Sequence, residues 1–462
     1  MLCFTIATIR SMALRENRIV LDDSMRVHFT NLGCKLNQAE LEQLARAFVA
    51  AGHQIARSLE EADVQVINSC TVTHVAARTS RKIARRGRRI NPRLKTVLTG
   101  CYATSAPDEA ARLAGVDLVV PNNDKDRLLD IVHERLIGDA LPASRHELPV
   151  PYVPLEFGHT RALIKIQDGC NMRCAFCIIP FTRGPERSRP VEDVVKEVQA
   201  LVASGFQEIV ITGVQISSYY ADGFGLYELV ATLLERTEAP RLRLTSIAPW
   251  EFDRRLLGLW TDRRLCRHIH MSLQSGCTAT LRRMRRPYTA AMYADVVEMI
   301  RQAIPDVAIT TDVIVGFPGE TADEFQKSLQ FVERTGFARV HVFPYSARQG
   351  TEAATLPGHI PHEVKKARVD VMLEVAAASE KRFQERFLGR QLDVLWEARQ
   401  TCTEHGRSDG YWQGITDNYI RVYTHEPDDL GNTITKTKLI ALTHDGLIGS
   451  VIRERSPALQ LM

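Results

Sequence analysis

The sequence has 462 residues, of which 45% are hydrophobic and 25% charged, and a formal net charge of +4. That length predicts about three domains of ordinary globular composition, because it exceeds what one hydrophobic core usually supports. No apolar run is long enough to span a bilayer, and the ten cysteines lack the paired spacing of a secreted disulfide framework, so we expect a reduced, cytoplasmic protein without a membrane partner.

The amino-terminal third alternates short β-rich runs with helical stretches. Residues 1–24 open with an apolar run that lacks the basic region and cleavage site of a signal peptide, and we interpret them as an extension outside the core. Leu41, Leu44 and Phe48 give the first predicted helix its apolar stripe. The βα alternation over residues 25–137 predicts a Rossmann-like parallel sheet covered by helices. Its predicted strands read RVHFTNLGC, DVQVINSC, LKTVLTGC and GVDLVV.

A cysteine follows each of the first three predicted strands, at Cys34, Cys70 and Cys101. The carboxyl ends of parallel strands share one edge of the sheet, and such folds bind ligands at that edge. Three thiols far apart in sequence can therefore converge on one cluster. The alternative is three unrelated, half-buried cysteines.

A second α/β unit follows a linker. Residues 138–159 are rich in proline and lack periodicity, which indicates an extended connection. Within residues 160–387, six strand candidates separated by helix-length segments predict an incomplete (β/α)6 barrel, whose functional residues would lie at the carboxyl ends of the strands. The candidates read RALIKIQ, EIVITGV, RLRLTSI, RHIHMSLQ, VAITTDVIV and ARVHVFPYS.

The most distinctive motif follows the first of these six strands. Cys170, Cys174 and Cys177 have the spacing C-x3-C-x2-C, with Phe176 just before the third cysteine. Three thiolates leave one iron of a four-iron cluster open to a chelating substrate. The alternative is a zinc knuckle, which needs a fourth ligand, but no Cys or His lies between Cys177 and Cys266. The motif resembles that of the radical S-adenosylmethionine superfamily, in which the cluster cleaves its cofactor reductively.

Residues at the ends of the later strands are candidates for holding that cofactor. Glycine lets a backbone approach a ligand closely, although a tight turn explains a glycine equally well. Resemblance to the superfamily's S-adenosylmethionine-binding motifs implies this role for Phe176 and for residues after the second to fifth strands. These residues are Gly213, Gln215, Ser246, Gln274 and Gly316.

Basic residues crowd two segments, which predicts either phosphate contacts or solvated helix faces. After a helical stretch from Pro361 to Gly389, the tail over residues 388–455 has short β-runs between turn residues and predicts a small antiparallel β-barrel. Such barrels often bind RNA, but a packing module is the alternative, and Trp412, Tyr419, Arg421 and Tyr423 suit both. The basic segments contain Arg78, Arg81, Lys82, Arg85, Arg86, Arg88, Arg89 and Arg93, and Arg282, Arg283, Arg285 and Arg286.

The motifs LGCKLNQAE, INSC and LTGC, the cysteine triplet with IIPFTRGPERSR, and the β-tail together resemble the methylthiotransferase family of radical enzymes. The resemblance covers nearly all of the chain after Met25. It implies an auxiliary-cluster domain over residues 25–137, a radical S-adenosylmethionine core over residues 160–387, and a TRAM tail over residues 388–455 that engages tRNA.

The resemblance also implies two 4Fe–4S clusters with different duties. The cluster on Cys170, Cys174 and Cys177 would generate the radical. The cluster on Cys34, Cys70 and Cys101 would supply or carry sulfur, and a second S-adenosylmethionine would give the methyl group. We therefore expect a reducing electron donor and a sulfur source as partners.

The motifs look most like the branch that methylthiolates N6-threonylcarbamoyladenosine beside the anticodon, so we expect the tRNA anticodon stem-loop as a partner. Alternatives are N6-isopentenyladenosine in tRNA and an aspartate of a ribosomal protein. Arg183, Arg187 and Arg189 are candidates for the threonylcarbamoyl carboxylate, or equally for cofactor or phosphate. A hypothesis of another class is a non-catalytic iron–sulfur RNA-binding regulator, and the glycine-rich strand ends argue against it.

Overall fold

Three units built around separate sheets make up the chain, in a computed structural model that describes residues 24–72, 74–137, 160–404 and 407–453. The predicted extension over residues 1–24, apart from Ser24, and the predicted linker over residues 138–159 lie outside the described residues. Of the helices that the structure describes, none is both long and apolar enough to cross a membrane.

The amino-terminal unit is a parallel sheet with helices on both faces, as predicted. Val27, Val64 and Val97 pack beneath the first long helix, whereas Ile67 and Leu98 pack on the opposite face, because successive strand residues point to opposite sides. Its elements are β1 (Arg26–Asn31), α1 (Lys35–Ala50), β2 (Gln54–Ile55), β3 (Val64–Ser69), α2 (His74–Ile90), β4 (Lys95–Gly100), α3 (Cys101–Ser105), α4 (Pro107–Ala111), β5 (Leu118–Val120) and α5 (Leu128–Val132).

The strands run in the order β2-β1-β3-β4-β5. Sequence analysis missed the two-residue edge strand β2, which is too short to show periodicity. The predicted apolar stripe of α1 is confirmed, since Leu41, Leu44 and Phe48 are all buried.

The middle unit contains the six predicted parallel strands and their helices. Its elements are β6 (Arg161–Lys165), β7 (Gln167–Asp168), α6 (Ile179–Arg183), β8 (Arg187–Ser188), α7 (Val191–Ala203), β9 (Glu208–Thr212), β10 (Tyr220–Ala221), β11 (Phe224–Gly225), α8 (Leu226–Arg236), β12 (Leu242–Leu244), β13 (His268–His270), α9 (Thr278–Arg283), α10 (Ala290–Ala303), β14 (Ala308–Val315), α11 (Ala322–Thr335), β15 (Arg339–Pro344) and α12 (His362–Glu385).

The six strands form two three-stranded parallel sheets, β12-β9-β6 and β13-β14-β15. An isolated parallel bridge between Leu242 and Leu265 joins them. One predicted helix is replaced by 3-10 turns over Pro249–Glu251 and Arg254–Thr261, because Pro249 and Gly258 disfavour a continuous α-helix there. The incomplete barrel predicted from the sequence is otherwise confirmed.

The tail is a closed five-stranded barrel in the order β16-β17-β18-β20-β19, consistent with a TRAM domain. One pair, β18 with β20, is parallel rather than antiparallel, because the hairpin of β19 and β20 returns β20 alongside β18. The strands are β16 (Gln391–Glu404), β17 (Arg407–Thr416), β18 (Arg421–Thr424), β19 (Ile434–Leu442) and β20 (Leu447–Val451).

The tail packs at the amino ends of the barrel strands. Trp412 is 6% exposed, and Tyr419 stacks on His268 with ring centroids 4.0 Å apart. Both aromatic residues therefore take the packing role that the sequence left open.

Candidate active site

Cys170, Cys174 and Cys177, here called the core cysteine set, lie between β7 and α6 just beyond the first barrel strand. Pairing of β7 with β8 closes this loop at its base. The Cys170 N–H donates to the Gly184 carbonyl at 3.1 Å, and the Cys177 N–H donates to the Cys174 carbonyl at 3.1 Å. The turn brings the three thiols close enough to influence one another electrostatically.

A cation lies beside this set. The Arg286 guanidinium donates to the Cys174 sulfur at 3.1 Å. Arg286 lies over the Trp250 ring, 4.5 Å from its centroid, and over the Tyr288 ring, 5.2 Å from its centroid. A fixed positive charge thus lies beside the core cysteine set, where it complements the negative charge of a thiolate-bound cluster.

Burial acts in the opposite direction. It raises the pKa of Cys170, and it raises the pKa of Cys177 to about 12. Without iron these two thiols therefore carry their protons at neutral pH, and cluster assembly must displace them.

The loop is also held by packing on its far side. The Ala175 N–H donates to the Met284 carbonyl at 3.0 Å, and the Ala175 carbonyl accepts from the Ala353 N–H at 2.7 Å. Phe176 packs edge-on against Phe317 with centroids 6.4 Å apart. Phe176 thus fixes the loop in the structure, and its contact with S-adenosylmethionine stays a prediction.

The amino-terminal cysteine set consists of Cys34, Cys70 and Cys101. Cys70 and Cys101 directly follow β3 and β4, and Cys34 precedes α1 shortly after β1. Because β1, β3 and β4 are adjacent and parallel, all three cysteines lie at one edge of the sheet, where the sequence predicts them to converge. Cys70 and Cys101 are buried and Cys34 is exposed, and burial raises the pKa of Cys70 to about 11.

A glycine with left-handed backbone precedes a cysteine at three places: Gly33 (φ +109°), Gly100 (φ +93°) and Gly169 (φ +72°). A Cβ on Gly100 would lie 2.3 Å from the Ser69 carbonyl oxygen, and one on Gly169 would lie 1.9 Å from the Pro185 carbonyl oxygen. Only glycine fits these positions. Sequence analysis missed them, although the repeated Gly-Cys pair was a visible signal.

The strand ends predicted to bind the cofactor divide into two kinds. Gly213 and Gly316 lie too close to other residues for a larger side chain. A Cβ on Gly213 would lie 3.0 Å from the Gln167 carbonyl oxygen, and one on Gly316 would lie 2.3 Å from the Lys365 Cγ. The Gln215 side chain donates to Glu251. For these three residues, contacts within the protein explain the residue without a cofactor, and cofactor binding stays a prediction.

Ser246 (φ +57°) and Gln274 (φ +64°) are different, because a left-handed φ is uncommon outside glycine. Such strain costs of the order of 1–3 kcal/mol and clusters at ligand sites. Two further polar atoms near the core set, Trp250 Nε1 and Tyr345 Oη, are buried without a hydrogen-bond partner among the described residues. Sequence analysis did not single out either residue, because their burial could not be predicted from local pattern.

Both cysteine sets offer three sulfurs each, which is the donor chemistry of an iron–sulfur cluster. Over the described ranges, no three Cys, His, Asp or Glu side chains converge tightly enough for a single metal ion. By their chemistry, three thiols each, both donor sets fit a cluster that keeps one iron open.

The structure gives two of these arginines partners inside the protein. Arg183 is 1% exposed and its guanidinium bonds Glu40, Asp168 and Asn37, so the hypothesis that it binds a substrate carboxylate is wrong. Arg189 bonds Glu197 at 2.6 Å and the Lys165 carbonyl at 3.0 Å, both through Nη1. Its contact with a substrate stays a prediction.

Arg187 differs from its two neighbours. Its side chain is 51% exposed, with Asp168 at 3.7 Å. It stays a candidate for binding the substrate.

The two basic segments also differ. In the second, Arg283 pairs with Glu324, Arg285 with Glu352, and Arg286 bonds Cys174, so three of its four arginines have partners in the protein, and phosphate contact stays a prediction. In α2, Arg81 and Arg88 pair with acidic residues. The α2 residues that are exposed and have no ion pair within the described chain are Arg78, Lys82, Arg85, Arg86 and Arg89.

Two family models match the chain. One, described as the radical SAM superfamily, matches residues 164–332, and the other, described as the uncharacterized protein family UPF0004, matches residues 26–121. Among solved structures, the radical S-adenosylmethionine methyltransferase TsrM from Kitasatospora setae, with cobalamin and a [4Fe-4S] cluster bound, has a TM-score of 0.56 at 16% identity and covers 72% of this chain and 77% of its own. That likeness concerns the fold.

Curated relatives match almost end to end. The threonylcarbamoyladenosine tRNA methylthiotransferase MtaB of Bacillus subtilis is 36% identical, covering 92% of this chain and 96% of its own length. The MtaB of Aquifex aeolicus is 36% identical over 89% and 99%. A tRNA-2-methylthio-N(6)-dimethylallyladenosine synthase of Cereibacter sphaeroides is 32% identical over 94% and 100%. The chain therefore belongs to the radical S-adenosylmethionine methylthiotransferases, enzymes that use S-adenosylmethionine and 4Fe–4S clusters.

Proposed function

We propose that this methylthiotransferase acts on tRNA and converts N6-threonylcarbamoyladenosine beside the anticodon to its 2-methylthio derivative. The observation that carries this proposal is the match along most of the chain to relatives named for that reaction. A tRNA substrate also places the proposed activity in the cytoplasm.

We assign the two cysteine sets to two clusters. Cys170, Cys174 and Cys177 hold the catalytic one, which when bound supplies the electron that cleaves S-adenosylmethionine. Cys34, Cys70 and Cys101 hold the one that supplies or carries sulfur. The chain's own contribution is to position both sets and to bind the cofactor, and the strained Ser246 and Gln274 support a ligand site at those strand ends.

The polarity of the barrel interior supports the threonylcarbamoyl branch. His270 Nε2 lies 3.1 Å from Asp312 Oδ2, and the Ser272 hydroxyl donates to that oxygen at 2.8 Å. The residues that alternate with His270 and Ser272, namely Ile269, Met271 and Leu273, pack under the helices. The side chains of His270 and Ser272 therefore face the interior of the barrel. A carboxylated threonylcarbamoyl group needs polar partners, whereas an isopentenyl group needs apolar ones.

The exposed arginines of α2 and the tail are proposed to contact the tRNA backbone, and single-stranded loop bases can be splayed out for recognition. An electron donor and a sulfur source complete the reaction. Isopentenyladenosine remains a second candidate substrate because relatives named for dimethylallyladenosine match over similar lengths.

The test is to incubate the reconstituted enzyme with tRNA carrying either modification and to analyse the nucleosides by mass spectrometry. We expect a methylthio product from the threonylcarbamoyl substrate. Product from the isopentenyl substrate alone would move the chain to the other branch. Cleavage of S-adenosylmethionine without product from either tRNA would point to a protein substrate such as a ribosomal aspartate.

A further inference from the structure

The short helix α6 connects the two cysteine sets. It begins two residues after Cys177, and its last two residues, Thr182 and Arg183, are buried against the amino-terminal unit. The loop that carries the core cysteine set is thus continuous with a segment inserted beside the other set.

Arg183 makes the first of three links. Its Nη2 donates to Asn37 Oδ1 at 2.6 Å, and the Cys34 thiol donates to the same oxygen at 3.8 Å. Its Nη1 donates to Asp168 at 2.9 Å, and the Asp168 carboxylate accepts from the Gly169 N–H directly before Cys170. One guanidinium therefore joins a neighbour of Cys34 to a neighbour of Cys170.

The other two links reach the remaining cysteines of the amino-terminal set. The Asn122 amide donates to the Thr182 carbonyl at 2.8 Å and to the Cys101 sulfur at 3.8 Å. Arg348, which follows β15, donates to the Val72 carbonyl at 3.1 Å, two residues after Cys70. Each of the three cysteines, or the backbone next to it, is thus linked to the middle unit through one side chain.

The charges around Arg183 point to an anion in the same place. Glu40 and Asp168 face four cations, Arg183, Lys125, Lys165 and the more exposed Arg187. Buried charges are normally balanced by partners, and here the cations outnumber the two carboxylates next to the cysteines. Arg183 Nε is also buried without a hydrogen-bond partner in the described part of the chain. A thiolate-bound cluster would supply the missing negative charge.

We propose that Arg183, Asn122 and Arg348 are positioning residues that hold the amino-terminal cysteine set, and the sulfur it presents, at a fixed distance from the core cysteine set. The expected effect on product rests on the proposed function. The expected effect on the distance between the two cysteine sets does not, because that distance is a property of the protein. Group transfer is sensitive to such placement, because a misplacement of about 1 Å can cost about 100-fold in rate.

The test compares Arg183→Gln, Arg183→Lys, Asn122→Ala and Arg348→Gln in the reconstituted full chain. The control is Arg334→Gln, which removes an exposed arginine of α11 without an ion pair in the described chain. Three quantities are measured: iron per chain, the distance distribution between the two reduced clusters by pulsed electron paramagnetic resonance, and the ratio of methylthio product to 5′-deoxyadenosine.

We expect Arg183→Gln to keep its iron, to broaden or shift the distance distribution, and to lower the product ratio by about 100-fold while S-adenosylmethionine is still cleaved. Arg183→Lys keeps the positive charge but loses the planar set of donors, so its product ratio should lie between those of wild type and Arg183→Gln. The control should match wild type. A wild-type enzyme that makes no methylthio product would refute the proposed function, while the distance measurement would still test the positioning role.

An unchanged distance distribution and an unchanged product ratio in Arg183→Gln would overturn the inference. If that variant loses iron, Asn122→Ala and Arg348→Gln decide by the same measurements. Wild-type distances and ratios in both would overturn it, and a shift in either would support it.

Discussion

The core meets its two neighbours through two buried arginines with different surroundings. Arg243, at the tail junction, is 0% exposed, and all three of its guanidinium nitrogens have partners: Glu208 and the carbonyls of Thr416 and Asp417. Arg183, at the cysteine junction, is equally buried, but its Nε has no partner. The Arg243 guanidinium is fully bonded within the protein, whereas Arg183 has room for a ligand's charge.

The position of each junction along the strands explains the difference. Arg243 is the middle residue of the three-residue strand β12, and its partner Glu208 is the first residue of β9. Arg183 lies beyond the carboxyl end of β6. In barrels of this kind the carboxyl ends carry chemistry and the amino ends carry stability, so a saturated network suits the tail and an incomplete one suits the site.

The largest effect should follow from removing either cysteine set. Reconstituted wild type should bind close to eight irons, as two four-iron clusters. Replacing Cys170, Cys174 and Cys177 with Ala should halve the iron and abolish S-adenosylmethionine cleavage, and replacing Cys34, Cys70 and Cys101 should halve the iron but spare some cleavage. Iron analysis and 5′-deoxyadenosine measurement check this. Wild type with a single cluster would contradict the assignment.

Breaking the tail junction should affect stability instead of iron. Glu208→Gln leaves Arg243 without its charge partner, and breaking a buried pair costs about 3–5 kcal/mol. Chemical denaturation should show this loss, whereas iron per folded chain should stay at the wild-type value. Loss of one cluster in this variant would mean that the two junctions are not separate.

The sequence predicted the elements better than the junctions. The cysteines after successive strands, the six barrel strands and the β-tail were visible as local patterns. Arg183 was misassigned because its partner Glu40 is 143 positions away, and no local pattern indicates burial. The role of Tyr419 was ambiguous for the same reason, since its stacking partner His268 is on another unit.

Gly100 and Gly205 offer a matched pair for the glycine requirement. Their φ values are +93° and +92°, but only Gly100 has atoms within reach of a Cβ, the nearest at 2.3 Å. Gly205→Ala should therefore cost only the backbone strain, about 1–2 kcal/mol. Gly100→Ala should cost more and lose iron from the amino-terminal set. Thermal unfolding and iron analysis measure both, and equal effects would exclude close packing as the reason for Gly100.

Neutralising the exposed arginines of α2 should weaken tRNA binding moderately. Replacing Arg85, Arg86 and Arg89 with Gln removes phosphate contacts, so affinity should fall and its dependence on salt should become shallower. Replacing Arg81 and Arg88, which have acidic partners, is the control and should change the salt slope less for each charge removed. Removing the whole tail is a poorer test, because it would leave Arg243 without the carbonyls that it bonds. Equal slopes for all variants would assign α2 a structural role only.

The smallest effect concerns pH and reports on the tail junction through the carboxylate of Glu208. Burial alone would raise the pKa of Glu208, but Arg243, Arg161 and Arg241 outweigh it and hold the pKa at about 2, against an ordinary value of 4.5. A carboxyl with a lowered folded pKa stabilises the fold fully above its unfolded pKa, and that contribution is lost as the pH falls towards the folded pKa.

The difference in unfolding free energy between wild type and Glu208→Gln should therefore be constant from pH 8 to about pH 5.5, and it should shrink by about 1.4 kcal/mol by pH 3.5. Denaturation of the iron-free chain at each pH measures it, because acid would destroy the clusters in any case. A difference that does not change with pH would mean that Glu208 has the same pKa in the folded and unfolded chain, so that its charge adds nothing to the junction and Arg243 is held mainly by the tail carbonyls.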